Sequence, residues 1–363
     1  MRIAFYAPLK SPDHPVPSGD RLMARMLRDA LRAAGHTVAL MSELRSYCGD
    51  PLDRDRAAAI AGAAAGERHR IAADWQTATP DLWVCYHPYC KSPDLLGPPL
   101  CRARGVPYVT IESSWSARRN HGVWAAGQAA VVEGLTLAAA NICLTARDRA
   151  GILAAVPEAR LVDLPPFIDP APFLATRVPQ DGPVRLVTVA MMREGDKLAS
   201  YAMLAQALGM LGALDWRLTI VGAGPMQAEV RRLFAGLGNR VIWAGQGDPA
   251  QVAAALRHSD IYLWPGFGEA YGLAYLEAGA AGLPVVAQRV AGVPEVVSDA
   301  AGVLTPPGDV AGYAGAVAAL IGDAAARERL GAAARDRVLA RHSVQAARGR
   351  LAQILNDAVG VPG

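Results

Sequence analysis

Short continuous apolar runs recur along the first half of the chain, at residues 3–7, 37–41, 82–86, 108–111 and 142–145. They do not alternate with polar positions, which is the pattern of strands covered on both faces in a parallel sheet. Between the first two runs, Leu22, Met23, Met26, Leu27, Ala30 and Leu31 fall at helical spacing. Residues 20–34 therefore read as an amphipathic helix closed by Gly35. The rhythm breaks at 164–183, where Pro165, Pro166, Pro170, Pro172, Pro179 and Pro183 disfavour both helix and central strand, so this stretch reads as a linker. Strand-like runs then resume at 185–189, 217–221, 241–244, 261–264 and 284–287, and Ala-rich helical segments follow from about Val310. Two successive strand–helix series joined by a Pro-rich stretch predict an α/β architecture of two doubly wound Rossmann-like domains facing a cleft.

Composition narrows the choice of partner. The 363 residues carry a formal net charge of only +3, with 19% charged residues, too balanced for a nucleic-acid binder. Five scattered cysteines indicate reduced thiols and a cytoplasmic protein. Cys85, His87 and Cys90 lie close together, but their spacing matches no zinc pattern, and no metal is expected there. No run of 18 apolar residues occurs, so no membrane-spanning helix is expected. The N-terminus is interrupted too soon for a signal peptide and reads as a first strand.

Parallel sheets bind ligands at the carboxyl ends of their strands. The first loop, 8–19, ends in Ser18-Gly19-Asp20 at a helix start, where backbone amides can meet a phosphate; an ordinary N-cap is the alternative. In the second half, Gly222-Ala223-Gly224-Pro225 joins a strand to a helix without completing a dinucleotide fingerprint, and is equally a structural turn. The richest segment is 265–279. There Glu269 precedes a helix expected from about Gly272, and Glu277 lies one to two turns inside it. The amides of Tyr271, Gly272 and Leu273 form a positive helix terminus between two carboxylates, a combination suited to a phosphorylated polyhydroxyl ligand.

Glu269 and Glu277, with seven residues between them, resemble the E-x7-E signature of retaining GT-B glycosyltransferases of family 4, the glycosyl transferases group 1. The resemblance continues through Gly282-Leu283-Pro284-Val285-Val286-Ala287, Gly292-Val293-Pro294-Glu295 and Gly302-Val303-Leu304, and covers nearly all of 184–320. Residues 189–197 are similar to the family's strand-end loop that brings an Arg and a Lys onto the donor diphosphate, here Arg193 and Lys197. Departures are Pro166-Phe167-Ile168-Asp169 in place of Asn-Gly-x-Asp, an Arg-to-Lys spacing one residue short, Ala270-Tyr271 for Gly-Phe, and Gly266 for a common Ser.

The resemblance implies an acceptor domain at 1–168, rejoined by a C-terminal helix at about 345–363, and a nucleotide-sugar-binding domain at 169–344. It implies transfer of a hexose-type sugar from a nucleotide-diphosphate sugar, with retention and without metal or cofactor. Arg193 and Lys197 would neutralise the leaving diphosphate, with the Tyr271–Leu273 amides and the Gly19 loop adding donors and Gly222 and Gly224 beside the nucleotide. Glu277 would hold the ribose, Glu269 would orient the sugar, and His87, after the strand at 82–86, would orient a sugar hydroxyl or assist the acceptor. The acceptor, a glycan, a lipid or a small molecule, is not specified. Glu112 ends the next strand. Arg118-Arg119, with Arg102 and Arg104, form either a solvated basic face or a peripheral contact with an anionic acceptor or the inner membrane face. A sugar-nucleotide epimerase and a non-catalytic nucleotide-sugar-binding protein are the rival readings.

Overall fold

The computed structural model describes residues 1–16, 18–178 and 181–360. Pro179 of the Pro-rich stretch, Pro17 of the first loop and 361–363 of the expected last helix lie outside them. The chain divides into two units, Met1–Pro165 with Val344–Gly363, and Pro166–Ser343.

The N-terminal unit runs β1 (Arg2–Tyr6), α1 (Gly19–Ala33), β2 (Thr37–Leu40), α2 (Arg54–Asp74), β3 (Leu82–Tyr86), α3 (Gly97–Arg104), β4 (Tyr108–Ile111), α4 (Val123–Leu137), β5 (Ala140–Cys143), α5 (Ala146–Ala155) and β6 (Leu161–Asp163). The C-terminal unit runs β7 (Val184–Val189), α6 (Asp196–Gly209), β8 (Trp216–Val221), α7 (Gln227–Leu233), β9 (Val241–Gly245), α8 (Pro249–Arg257), β10 (Ile261–Leu263), α9 (Leu273–Ala280), β11 (Val285–Gln288), α10 (Val293–Val296), β12 (Gly302–Thr305), α11 (Val310–Gly322) and α12 (Ala324–Arg341). The last helix, α13 (Val344–Val359), returns to the N-terminal unit and packs on α1.

Each unit holds a parallel six-stranded sheet, ordered β2-β1-β3-β4-β5-β6 and β12-β11-β10-β7-β8-β9. The continuous apolar runs are the central strands: β3 and β4 are buried at every position, as a strand covered by helices on both faces must be. Strand order reverses between β1 and β3 in the first sheet and between β7 and β10 in the second. At such a point successive connections leave for opposite faces, and a crevice opens at the carboxyl ends. The loops after β1, β3, β7 and β10 are therefore where ligands are received.

The Pro-rich stretch is not a free tether. Phe167, Ile168 and Phe173 are buried, His342 donates its backbone N–H to Val338 and receives the Ile168 N–H at 2.8 Å, and Arg335 bonds the Leu174 carbonyl. Its apolar side chains tie it to the C-terminal unit, which prolines alone did not reveal. Asp53, in the Asp53-Arg54-Asp55 sequence, caps α2 by accepting the Arg56 N–H at 2.9 Å.

One buried carboxylate organises the N-terminal core. Asp94, 4% exposed, accepts the Trp83 indole N–H (3.0 Å), the Tyr108 hydroxyl (3.1 Å) and the Leu96 and Gly97 amides (2.9 and 2.8 Å). Cys85 and Cys101 pack in the same core, with Cys85 on the strand. Truncating Asp94 leaves four donors without an acceptor, and each buried unsatisfied group costs on the order of 1–3 kcal/mol unless water replaces the partner. Asp94→Ala is expected to destabilise the fold by about 4 kcal/mol or more, read as a lowered denaturant midpoint; an unchanged midpoint would show that the network contributes nothing net.

Candidate functional site

The loops after β7 and β10 leave neighbouring strands at the switch point of the second sheet. Lys197, the second residue of α6, forms an ion pair with Glu269 of the β10 loop. The indole Nε1 of Trp264 donates to the same Glu269 Oε1 at 3.0 Å, and the Lys197 ammonium lies 5.3 Å from the centroid of that indole ring. The side chains of Lys197 and Glu269 are 28% and 16% exposed, so the pair is reachable by a ligand yet sheltered enough for charge to count.

Glycine makes this loop possible. Gly266, Gly268 and Gly272 adopt φ of +78°, +65° and +81°. A Cβ on Gly268 would stand 1.9 Å from Asp196 Oδ2, and one on Gly266 2.1 Å from the Tyr275 hydroxyl. That contact explains the absence of a serine at 266: the hydroxyl of Tyr275, which donates to the Trp264 carbonyl at 3.1 Å, occupies the space. The Phe267 amide donates to Ser200 Oγ on α6 at 3.0 Å, binding the loop to that helix.

Helix α9 begins at Leu273, with Gly272 as its N-cap and no side-chain cap. The Leu273 and Ala274 amides find no acceptor among the described residues, and Tyr271 is 7% exposed just before them. Such a terminus carries free donors and partial positive charge. Glu277, half-buried on α9, makes no side-chain hydrogen bond or ion pair among the described residues, and burial pushes its carboxyl up to about 7.

The remaining expected residues of this unit are placed less tightly. Arg193 is exposed before α6, without a side-chain partner among the described residues. A Cβ on Gly222 would lie 1.9 Å from the Ala190 carbonyl oxygen and one on Gly224 2.2 Å from that of Met192. Close approach of the β8 loop to the β7 loop accounts for both glycines.

In the N-terminal unit Gly19 opens α1, with Ser18 accepting the Arg21 N–H at 3.2 Å; a Cβ on Gly19 would meet nothing within 4 Å. His87 follows β3 with φ of +59° and places Nδ1 3.4 Å from Asp20 Oδ1 on α1. Burial works to lower the His87 pKa, but the Glu112 charge and the Asp20 contact outweigh it and raise it to about 9. Glu112, after β4 with φ of +57°, is pushed up to about 7, chiefly by burial, against the lowering effect of His87. These neighbouring carboxylates favour the imidazolium, a donor, over the neutral ring.

The sequence assigned no role at the site to Trp264 and Ser200, which fix Glu269 and its loop, and offered Asp20, which faces His87, only as part of a helix start. An aromatic residue just after β10, five positions before Glu269, was the available signal, but nothing in the spacing says which way an indole points.

Two parallel sheets with this strand order and crossover pattern define the GT-B class of α/β fold. Sucrose-phosphate synthase from Thermosynechococcus elongatus superposes with a TM-score of 0.75 at 21% identity, covering 99% of this chain and 100% of that one. Anabaena Alr3699/HepE, solved in complex with UDP, gives 0.76 at 16% identity over 98% and 100%. Residues 183–323 match the family model Glycosyl transferases group 1. Among curated proteins, a phosphatidyl-myo-inositol mannosyltransferase of Mycobacterium leprae is 43% identical over 74 residues, a match that spans only 20% of each chain. Among the described residues no helix is long and apolar enough to cross a membrane.

Proposed function

We propose that this protein is a retaining glycosyltransferase that moves a hexose-type sugar from a nucleotide-diphosphate sugar onto an acceptor hydroxyl, in glycan, polysaccharide or glycolipid synthesis. The observation that carries the reading is the Lys197–Glu269 pair beside the uncapped start of α9, inside the segment that matches the family. Departure of a nucleoside diphosphate builds negative charge on phosphate oxygens, and preorganised cations and amides stabilise that charge most where water is scarce. Lys197 and Arg193 would supply the cations and the α9 terminus the amides. Glu277 would accept from the ribose hydroxyls and Glu269 from hydroxyls of the sugar. Protonated His87 would donate to a hydroxyl near the reacting carbon. Retention would follow from attack on the face the diphosphate leaves: the acceptor oxygen bonds the anomeric carbon, the bond to the phosphate oxygen breaks, and that phosphate takes the acceptor's proton.

The mannosyltransferase relative acts on a phosphatidylinositol acceptor by its name, which supports a lipid acceptor here and work at the inner membrane face. Exposed Arg118 and Arg119 on a short helical turn would meet its anionic head group. No metal is required, because the charge is met by side chains. Activity is expected to survive EDTA; complete loss restored by Mg²⁺ or Mn²⁺ would contradict this. The reading is tested by a thermal-shift screen with UDP, GDP, ADP and their sugars. One base should raise the melting temperature, and no shift with any of them would overturn it.

A further inference from the structure

We infer that Trp264 is a positioning residue: its indole N–H holds the Glu269 carboxylate in place when Lys197 turns to the donor diphosphate. The inference rests on the roles given above to Lys197 and Glu269.

Without donor, two groups hold Glu269 Oε1, the Lys197 ammonium and the Trp264 Nε1–H. They are not equivalent. An ammonium on a flexible four-carbon stem has three donors and follows the nearest anion, and an incoming diphosphate brings more negative charge than one carboxylate. The indole has a single donor, already aimed at Glu269, and cannot follow. Trp264 is 2% exposed. Its ring meets Tyr201 edge to face at 5.0 Å, and Tyr201 is anchored through its hydroxyl to the Ala190 carbonyl at 2.7 Å. Its backbone is fixed from both directions, with N–H donated to Val286 (3.1 Å) and C=O receiving the Tyr275 hydroxyl. The same ring lies under the Lys197 ammonium, and this cation–π contact limits how far the lysine swings. One rigid side chain thus fixes the carboxylate that orients the sugar and borders the cation that meets the diphosphate.

Trp264→Phe keeps a six-membered ring against Tyr201 and Lys197 and removes the N–H together with the rest of the five-membered ring. It is expected to lower kcat about tenfold, the scale of one hydrogen bond to a charged group, while donor KM and nucleoside diphosphate affinity stay within about twofold. In a Glu269→Ala background the same substitution should change kcat by less than about twofold, since a residue acting through Glu269 has nothing left to hold. If Trp264→Phe fails to fold, benzothienylalanine at 264, which replaces the N–H by sulfur in the same fused ring, carries the test. Equal losses in both backgrounds, or an unchanged kcat in the wild-type background, would overturn the inference. Near-normal turnover of both Lys197→Ala and Glu269→Ala would instead sink the reading of the site itself.

Discussion

Lys197→Ala is expected to lower turnover by about 10²-fold or more, the scale of one lost donor to a charge that develops in the transition state. Among the described residues Lys197 is the cation that the fold places against Glu269. Arg193, the second cation, has no comparable anchor and is exposed, so water screens it more and it offsets the loss only in part. The substitution should leave the fold intact. The pair is partly exposed, and such pairs contribute little net stability. Steady-state kinetics with the donor that passes the thermal screen measures the effect. Near-normal kcat in a folded variant would show that the diphosphate does not lie against Lys197.

Glu277→Ala is expected to weaken nucleoside diphosphate binding by roughly 10- to 150-fold, the range for losing a charged hydrogen bond worth about 1.5–3 kcal/mol. The group has a pH signature as well. Burial raises its carboxyl from 4.5 to about 7, so the free protein holds a proton there that ribose hydroxyls, as donors, do not favour. Binding should therefore tighten as pH rises through about 7 and release a proton below it. The sign for stability is the opposite: the folded state binds more protons than the unfolded one between 4.5 and about 7, so stability of the ligand-free protein falls as pH rises through that window. Nucleoside diphosphate titrations at pH 6 and 8 in wild type and in Glu277→Gln measure this. The ligand's terminal phosphate also titrates between pH 6 and 8, so the part of the pH dependence that belongs to Glu277 is the part lost in the glutamine variant.

The sequence pattern was most informative where burial is most complete. Continuous apolar runs marked β3, β4 and the central strands of the second sheet because both faces of those strands are covered. The edge strand β6 and strand β12 passed unmarked, since β6 is only partly buried and carries no such run. Helix α2, Ala-rich with only Ile60, Ala64 and Ile71 buried, has too faint an apolar stripe to show. Spacing placed Glu269 before α9 and Glu277 within it, because those positions follow from one strand, one turn and one helix. It did not disclose Trp264 on Glu269 or Asp20 beside His87, because those contacts depend on how strands order in a sheet and on side-chain rotamers. The Gly222–Gly224 turn shows how a motif suited to phosphate is also demanded by packing alone.

The central claim is that the donor lies across the start of α9, nucleoside at Glu277 and sugar at Glu269. Calorimetric titration of Glu269→Ala and Glu277→Ala with the nucleoside diphosphate that passes the thermal screen tests it most directly. The account predicts that Glu277→Ala loses affinity for the free diphosphate, while Glu269→Ala binds it nearly as wild type does and loses turnover instead. Diphosphate affinity lost in Glu269→Ala and kept in Glu277→Ala would contradict it.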